Sequence, residues 1–148
     1  MLTDDILTYI DRSVLCWLAT VDHDGMPNVS PKEAFAAYDP QTLLIAHIAS
    51  PKSIRNIKNN PQVCVSFIDV FEQKGYKLKG KAEIVAPQSS EYQNLEKPLL
   101  EITQGNFPIR AIIRIHIQLA EPIIAPSYRL SPNQTVQSRM KMQCKPMV

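Results

Sequence analysis

The residues with the clearest chemical potential lie in one run, Ala46-His47-Ile48-Ala49-Ser50-Pro51-Lys52-Ser53-Ile54-Arg55-Asn56-Ile57-Lys58-Asn59-Asn60-Pro61, where an apolar strand end feeds a short helix. Ser50 stands where an N-cap belongs. Pro51 suits the first helical residue, because its missing N–H would be unpaired there anyway, and Ile54 and Ile57 form the apolar stripe. Asn59-Asn60-Pro61 stops the helix. The free amides of Lys52 and Ser53, the positive end of the helix dipole, the Ser53 hydroxyl and the Lys52 ammonium would converge on one point, and a phosphate fits that point. The same pattern also serves an ordinary connecting helix whose Lys52, Arg55 and Lys58 are simply solvated.

A second candidate surface comes from parity. On a strand predicted from Met26 towards Tyr38, Asn28, Ser30 and Lys32 share one face and are followed there by the small Ala34 and Ala36, while Val29, Phe35 and Ala37 look into the core. Polar groups followed by small residues suit a ligand-facing surface, and they equally suit a solvent-facing edge. Pro27 and Pro31 forbid a full ladder, so this part is an edge or contains a bulge. His47 reads either as a strand histidine bonded to backbone or as a ligand contact. The chain has no Gly-x-Ser-x-Gly, no His-Glu-x-x-His and no Gly-rich phosphate loop, so hydrolytic and nucleotide-hydrolysing readings have no support. With only four glycines, any phosphate must be held by a helix and side chains.

The elements that position these residues follow from periodicity and punctuation. Thr3 with Asp4 and Asp5 starts a helix carrying Leu2, Ile6, Leu7 and Ile10 on one face and ending near Ser13. Val14 to Val21 reads as a strand covered on both faces, and Asp22-His23-Asp24-Gly25 as the hairpin turn after it. Asp39-Pro40-Gln41 turns the chain into a third strand, Thr42 to Ile48, which delivers it to the basic helix. Val63, Val65 and Phe67 alternate in a fourth strand. In the fifth, Tyr76, Leu78, Gly80, Ala82 and Ile84 oppose Lys77, Lys79, Lys81 and Glu83, with Gly80 a bulge candidate. Ser89 or Ser90 caps a helix bearing Tyr92, Leu95, Leu99 and Ile102, kinked at Pro98 and ended by Gly105. Ile109 to Ala120 is the strongest strand, with Ile109, Ala111, Ile113, Ile115, Ile117 and Leu119 inward and Arg110, Arg114, His116 and Gln118 outward. From Glu121 onward, Pro122, Pro126, Pro132 and Pro146 predict an extended arm and a tail.

At 148 residues, 45% hydrophobic and 20% charged, the chain makes one globular domain burying roughly 70% of its unfolded surface. Sixteen Lys and Arg against 14 Asp and Glu leave only +2, which argues against a general nucleic-acid binder. Cys16, Cys64 and Cys144 are far apart, with no Cys-x-x-Cys pair and no metal-ligand spacing with the three histidines, so a reduced cytoplasm and no metal are expected. Asp4 and Asp5 stand where a secretory signal needs positive charge. No apolar run approaches the ~20 residues of a membrane span.

The order of elements, together with two stretches, resembles the pyridoxamine 5′-phosphate oxidase-like, FMN-binding split-barrel family. The stretches are Leu18-Ala19-Thr20 followed by Asp24-Gly25-Met26-Pro27-Asn28-Val29-Ser30-Pro31-Lys32, and Ile45-Ala46-His47 followed by Ser50 to Val63. The likeness is strong from Val14 to Val85 and beyond that rests on element order. It implies a mainly β fold, an antiparallel split β-barrel with flanking α-helices, over residues 1–126, with an arm and tail at 127–148. It implies FMN at the interface of a homodimer, with Lys52 and Ser53 on its phosphate, Ser30, Pro31 and Lys32 along the ring or ribityl chain, Ala46 and His47 opposite them, and Asn56 near the ribityl. Lys32 would sit near the N1–C2 carbonyl edge and balance the charge of the reduced ring. The reaction implied is flavin-mediated oxidation or reduction of a small molecule, with no amino-acid nucleophile. Family oxidases of phosphorylated pyridoxine vitamers grip that phosphate with a longer basic C-terminal segment. Here only Arg129-Leu130-Ser131-Pro132 resembles it, and Asn28 stands where an arginine is usual, so Lys32 and Lys52 carry the balancing charge. The alternatives are a non-catalytic FMN carrier or sensor, a haem- or deazaflavin-binding relative, and an interaction domain without cofactor.

Overall fold

The computed structural model describes residues 1–130 of the chain. In chain order its elements are α1 (Asp4–Arg12), β1 (Cys16–Val21), β2 (Pro27–Lys32), β3 (Phe35–Asp39), β4 (Thr42–His47), α2 (Pro51–Asn59), β5 (Gln62–Asp69), β6 (Lys74–Val85), α3 (Tyr92–Thr103), β7 (Ala111–Ile124) and α4 (Ser127–Leu130). Seven strands form one sheet in the order β2-β1-β5-β6-β7-β4-β3, with antiparallel pairing at every step. The chain is therefore mainly β with flanking helices, as expected. No helix among the described residues is long and apolar enough to cross a membrane.

The strand expected from Met26 to Tyr38 is two strands, and they lie on opposite edges of the sheet. Only Glu33 and Ala34 separate Lys32 from Phe35, a span of at most about 11 Å. The sheet must therefore curl until its two edges nearly meet. They are not laddered to each other, so the barrel stays split; Ala34 instead gives its carbonyl to the Ala46 amide of β4 at 2.9 Å. The break also uncouples the parity of the two halves. Asn28, Ser30 and Lys32 share one face as predicted, but it is that face that turns towards the interior: Lys32 is buried and Val29, expected in the core, faces out and is 56% exposed, while Phe35 beyond the break is buried as expected. The prolines of β2 sit on an edge strand, as their missing donors require.

The barrel interior is filled by Leu18, Leu43, Ile45, Val65, Phe67, Leu78, Ile113 and Ile115, with Ile6 of α1 and Ile57 of α2 packed against them. A second cluster joins Leu44, Ala46 and Ile112 to Tyr92, Leu95 and Leu99 of α3, so β4 and the start of β7 are covered on both faces. The start of α1 follows its capping pattern: the Thr3 hydroxyl accepts the Ile6 amide at 3.3 Å. α3 departs from expectation at both ends. Glu91, not a serine, holds the N-cap position, and Ile102 is exposed while Thr103 is buried.

β1 begins only at Cys16 and is covered on one face; Val14 and Trp17 are exposed. β7 runs on through Glu121 to Ile124, paired with Lys77 to Lys74, where an extended arm was expected. Its register slips opposite Gly80: Lys79 faces Leu119 but Gly80 faces Ile117, so Gln118 is an extra residue. That bulge reverses parity. Leu119, expected inward, is turned out, and Ala120 packs on the core instead. Ser131-Pro132 and the tail beyond lie outside the described residues.

Candidate functional site

The site is assembled where the ends of β2 and β4 meet the start of α2. Pro51 occupies the first turn of α2, the Ser50 side chain makes no cap hydrogen bond, and no acidic residue lies in that turn. The positive end of the helix is thus left without an internal counter-charge. Lys52 is exposed beside it. The two other polar residues anchor the helix. Ser53 is fully buried with its Oγ 3.0 Å from Ser30 Oγ of β2, and buried Asn56 donates its Nδ2 to Thr20 Oγ1 of β1 at 3.0 Å.

One hydrogen bond between two hydroxyls leaves a second O–H unspent, and half-buried Ser30 is the partner able to direct it outward. Position on α2 thus separates roles that the sequence left merged: Lys52 faces solvent, while Ser53 and Asn56 tie the helix to β2 and β1.

Beside this helix lies a cavity of about 350 Å³, bounded by Pro31, Lys32 and Glu33 on one side and by Ala46, Ile48 and Ser50 on the other. Of the two small residues expected to leave room, Ala34 lines this cavity and Ala36 does not; Ala46 of β4 takes the corresponding place. Lys32 is only 5% exposed and makes no ion pair among the described residues. Burial pushes its ammonium below the usual lysine range. Cys16, directly across the ladder, supplies no counter-charge at neutral pH, because burial pushes its thiol up to about 12.

His47, at the end of β4, has a buried Nδ1 with no hydrogen-bond partner. Burial first, then the positive charges of Lys32 and Arg110, hold its imidazole below the ordinary histidine range, so it is neutral at pH 7. A buried cation and an orphaned ring nitrogen in one place are groups prepared for something not supplied by the chain itself.

Of the sequence candidates, Pro31, Lys32 and Ala46 line one cavity, with Ser50 at its rim; His47 adjoins Lys32, and Ser30 with Ser53 forms the joint to the helix. Phe107 also lines the cavity, from the connection between α3 and β7. No periodicity or motif marked it, since it is one aromatic in an irregular turn about 75 residues after β2. Asp22, His23 and Asp24, whose ligand atoms cluster on the β1–β2 hairpin, are exposed or nearly so, and Asp22 Oδ1 is spent on the amides of Asp24 and Met26.

A family model for pyridoxamine 5′-phosphate oxidase matches residues 2–123. The chain belongs to the pyridoxamine 5′-phosphate oxidase family. Its likeness to solved structures is of the same kind. It superposes on the H111A variant of HupZ from Group A Streptococcus with a TM-score of 0.72 and 26% identity, over 83% of this chain and 100% of that one. An FMN-binding protein from Syntrophomonas wolfei gives a TM-score of 0.69 at 19% identity, over 84% and 87% of the two chains, a likeness of fold. The uncharacterized protein MJ0282 of Methanocaldococcus jannaschii is 30% identical over 84 residues, and the chain spans about half the length of that relative (55%). The curled, unclosed sheet is thus the split barrel of the pyridoxamine 5′-phosphate oxidase family, and the meeting of β2, β4 and α2 is a feature of this family member's own residues.

Proposed function

We propose that this protein binds FMN between β2, β4 and the start of α2 and acts as a flavin-dependent oxidoreductase on a small molecule other than a phosphorylated pyridoxine vitamer. The observation that carries this reading is Lys32, a buried ammonium without a carboxylate partner at the wall of a cavity. Keeping a charge there costs the apoprotein free energy, and an anionic or electron-rich ligand edge offsets that cost. The orphaned His47 Nδ1 and the uncapped first turn of α2 support it as further unspent polar groups. Lys52 and the first-turn amides would hold the phosphate, with Ser30 able to donate its free O–H; Ser53 and Asn56 fix the helix that presents them. When bound, FMN supplies reversible two-electron chemistry.

The substrate assignment follows from what surrounds the cavity. Arg129 follows the end of β7, whereas the cavity lies near its start: His47 pairs with Ala111, and Lys74 pairs with Ile124. Roughly 40 Å of strand separates the two ends. Arg129 of the same chain is thus no grip for a second phosphate, and neutral or aromatic acceptors are the preferred class. A homodimer accompanies this reading, formed through the uncovered outer face where Trp17, Val29 and Ile68 are exposed. A cytoplasmic setting accords with the free thiols of Cys16 and Cys64.

The test is a titration of apoprotein with FMN and riboflavin, beside Lys52→Ala. A charge-assisted contact is worth ~1.5–3 kcal/mol, so the variant is expected to bind FMN about one to two orders of magnitude more weakly and riboflavin unchanged. Equal binding of both flavins by both proteins would place the phosphate elsewhere. The loaded protein is then reduced anaerobically with NADH or NADPH and reoxidised with quinones, nitro-aromatics or oxygen, beside an oxidase assay with pyridoxine phosphate. Absence of reduction by either nicotinamide favours a carrier or sensor, and efficient turnover of the phosphorylated vitamer defeats the substrate assignment. Light scattering of the loaded protein is expected to give twice the chain mass of 16.7 kDa; a flavin-bound monomer at micromolar concentration would remove the dimer.

A further inference from the structure

We propose that Phe107 is the wall against which the isoalloxazine ring packs, so that the connection between α3 and β7 selects a planar aromatic occupant for the cavity; this rests on the flavin reading above. The connection is held at both ends. At its start, Gln104 (φ 52°) and Gly105 (φ 74°) reverse the chain out of α3, and the Asn106 amide bonds the Thr103 carbonyl at 3.0 Å. At its end, the Arg110 amide donates to the carbonyl of His47 at 2.9 Å. Pro108 stiffens the middle, because its ring fixes φ. The one aromatic of this short segment is therefore carried beside β4, where it lines the same cavity as Lys32 and Ala46.

Phe107 is 52% exposed in this position, although it belongs to a cavity wall. An apolar ring left half in water gains by being covered. Ala34 and Ala46 line the same cavity and have no side-chain bulk to cover it with. A flat ring system laid against the aromatic face would cover it and bring its polar edge to Lys32, with the already buried Ala34 and Ala46 adding no bulk to the wall. A compact or aliphatic ligand would cover less of the ring and gain none of the stacking geometry.

The experiment compares wild type, Phe107→Ala, Phe107→Tyr and Lys52→Ala for binding of FMN, riboflavin and lumiflavin, which has the ring without ribityl or phosphate. Phe107→Ala is expected to weaken all three by the same factor, roughly three- to tenfold, as loss of an aromatic pair implies. Phe107→Tyr should bind all three as wild type does. Lys52→Ala should weaken FMN alone. Since Phe107 is half exposed on a connection, the melting temperature of the apoprotein should not change, which separates loss of contact from loss of fold. If the wild type binds FMN and Phe107→Ala binds all three flavins equally well, the inference falls and the flavin reading stands. If the wild type binds no flavin, both fall.

Discussion

Lys32→Met is expected to make the apoprotein more stable and its FMN complex weaker. The ammonium it removes is buried and unpaired, and Met can follow much the same path with an unbranched apolar chain. Relieving the desolvation of that charge should raise the unfolding free energy by about 1–2 kcal/mol. The sign can be checked against pH. Lys32 has a folded-state pKa below its unfolded value, so between the two the unfolded chain binds more protons and wild-type stability rises with pH. The advantage of Lys32→Met is therefore full at neutral pH and fades as pH rises through the lowered folded value towards the ordinary lysine range. FMN affinity should fall by roughly ten- to a hundredfold, the worth of one charge-assisted contact. Urea unfolding at several pH values and a flavin titration measure both halves. A variant that is less stable and binds FMN normally would make Lys32 a structural residue and leave the cavity without its proposed role.

Gly80→Ala should be the most damaging single methyl group on the barrel side of the molecule, rivalled by Gly75→Ala. A Cβ at Gly80 would lie 2.0 Å from the carbonyl oxygen of His116, and one at Gly75 would lie 1.9 Å from that of Phe67. Both obstacles are backbone atoms of the neighbouring strand, so relief requires moving β7 or β5 against β6. A loss of about 3 kcal/mol or more is expected, read as a lower urea midpoint at unchanged slope. Gly25→Ala is the control: its φ of 82° disfavours alanine, but nothing lies within 4 Å, so only the conformational cost of about 1 kcal/mol applies. Equal effects at Gly25 and Gly80 would mean that the bulge opposite Gly80 relaxes freely.

Elements written in short-range chemistry were legible in the chain. The Thr3 cap with its acidic first turn, the alternation of β6 and the Pro51 start of α2 all depend on residues within four positions of one another, and each stands where it was read. That Asn28, Ser30 and Lys32 share a face was legible for the same reason, since parity survives until a strand breaks, but which way that face turns was not: it was read away from the core and lies inward. The family resemblance rested on these same stretches. What parity could not report was where it is interrupted. The break at Glu33 and Ala34 sends Val29 outward and carries β3 to the far edge, and Gln118 turns Leu119 out of the core; both follow from which strands meet across the sheet, a property of pairs far apart in the chain. Ser50 held the cap position without making the cap, because cap geometry depends on how the chain arrives from β4. Lys32 shows the division most clearly. Its sharing of a face with Asn28 and Ser30 was written locally, but its burial without a counter-ion, beside an orphaned His47 and on a cavity that Phe107 also lines, was decided only when the curled sheet brought β2, β4 and the α3–β7 connection around one cavity.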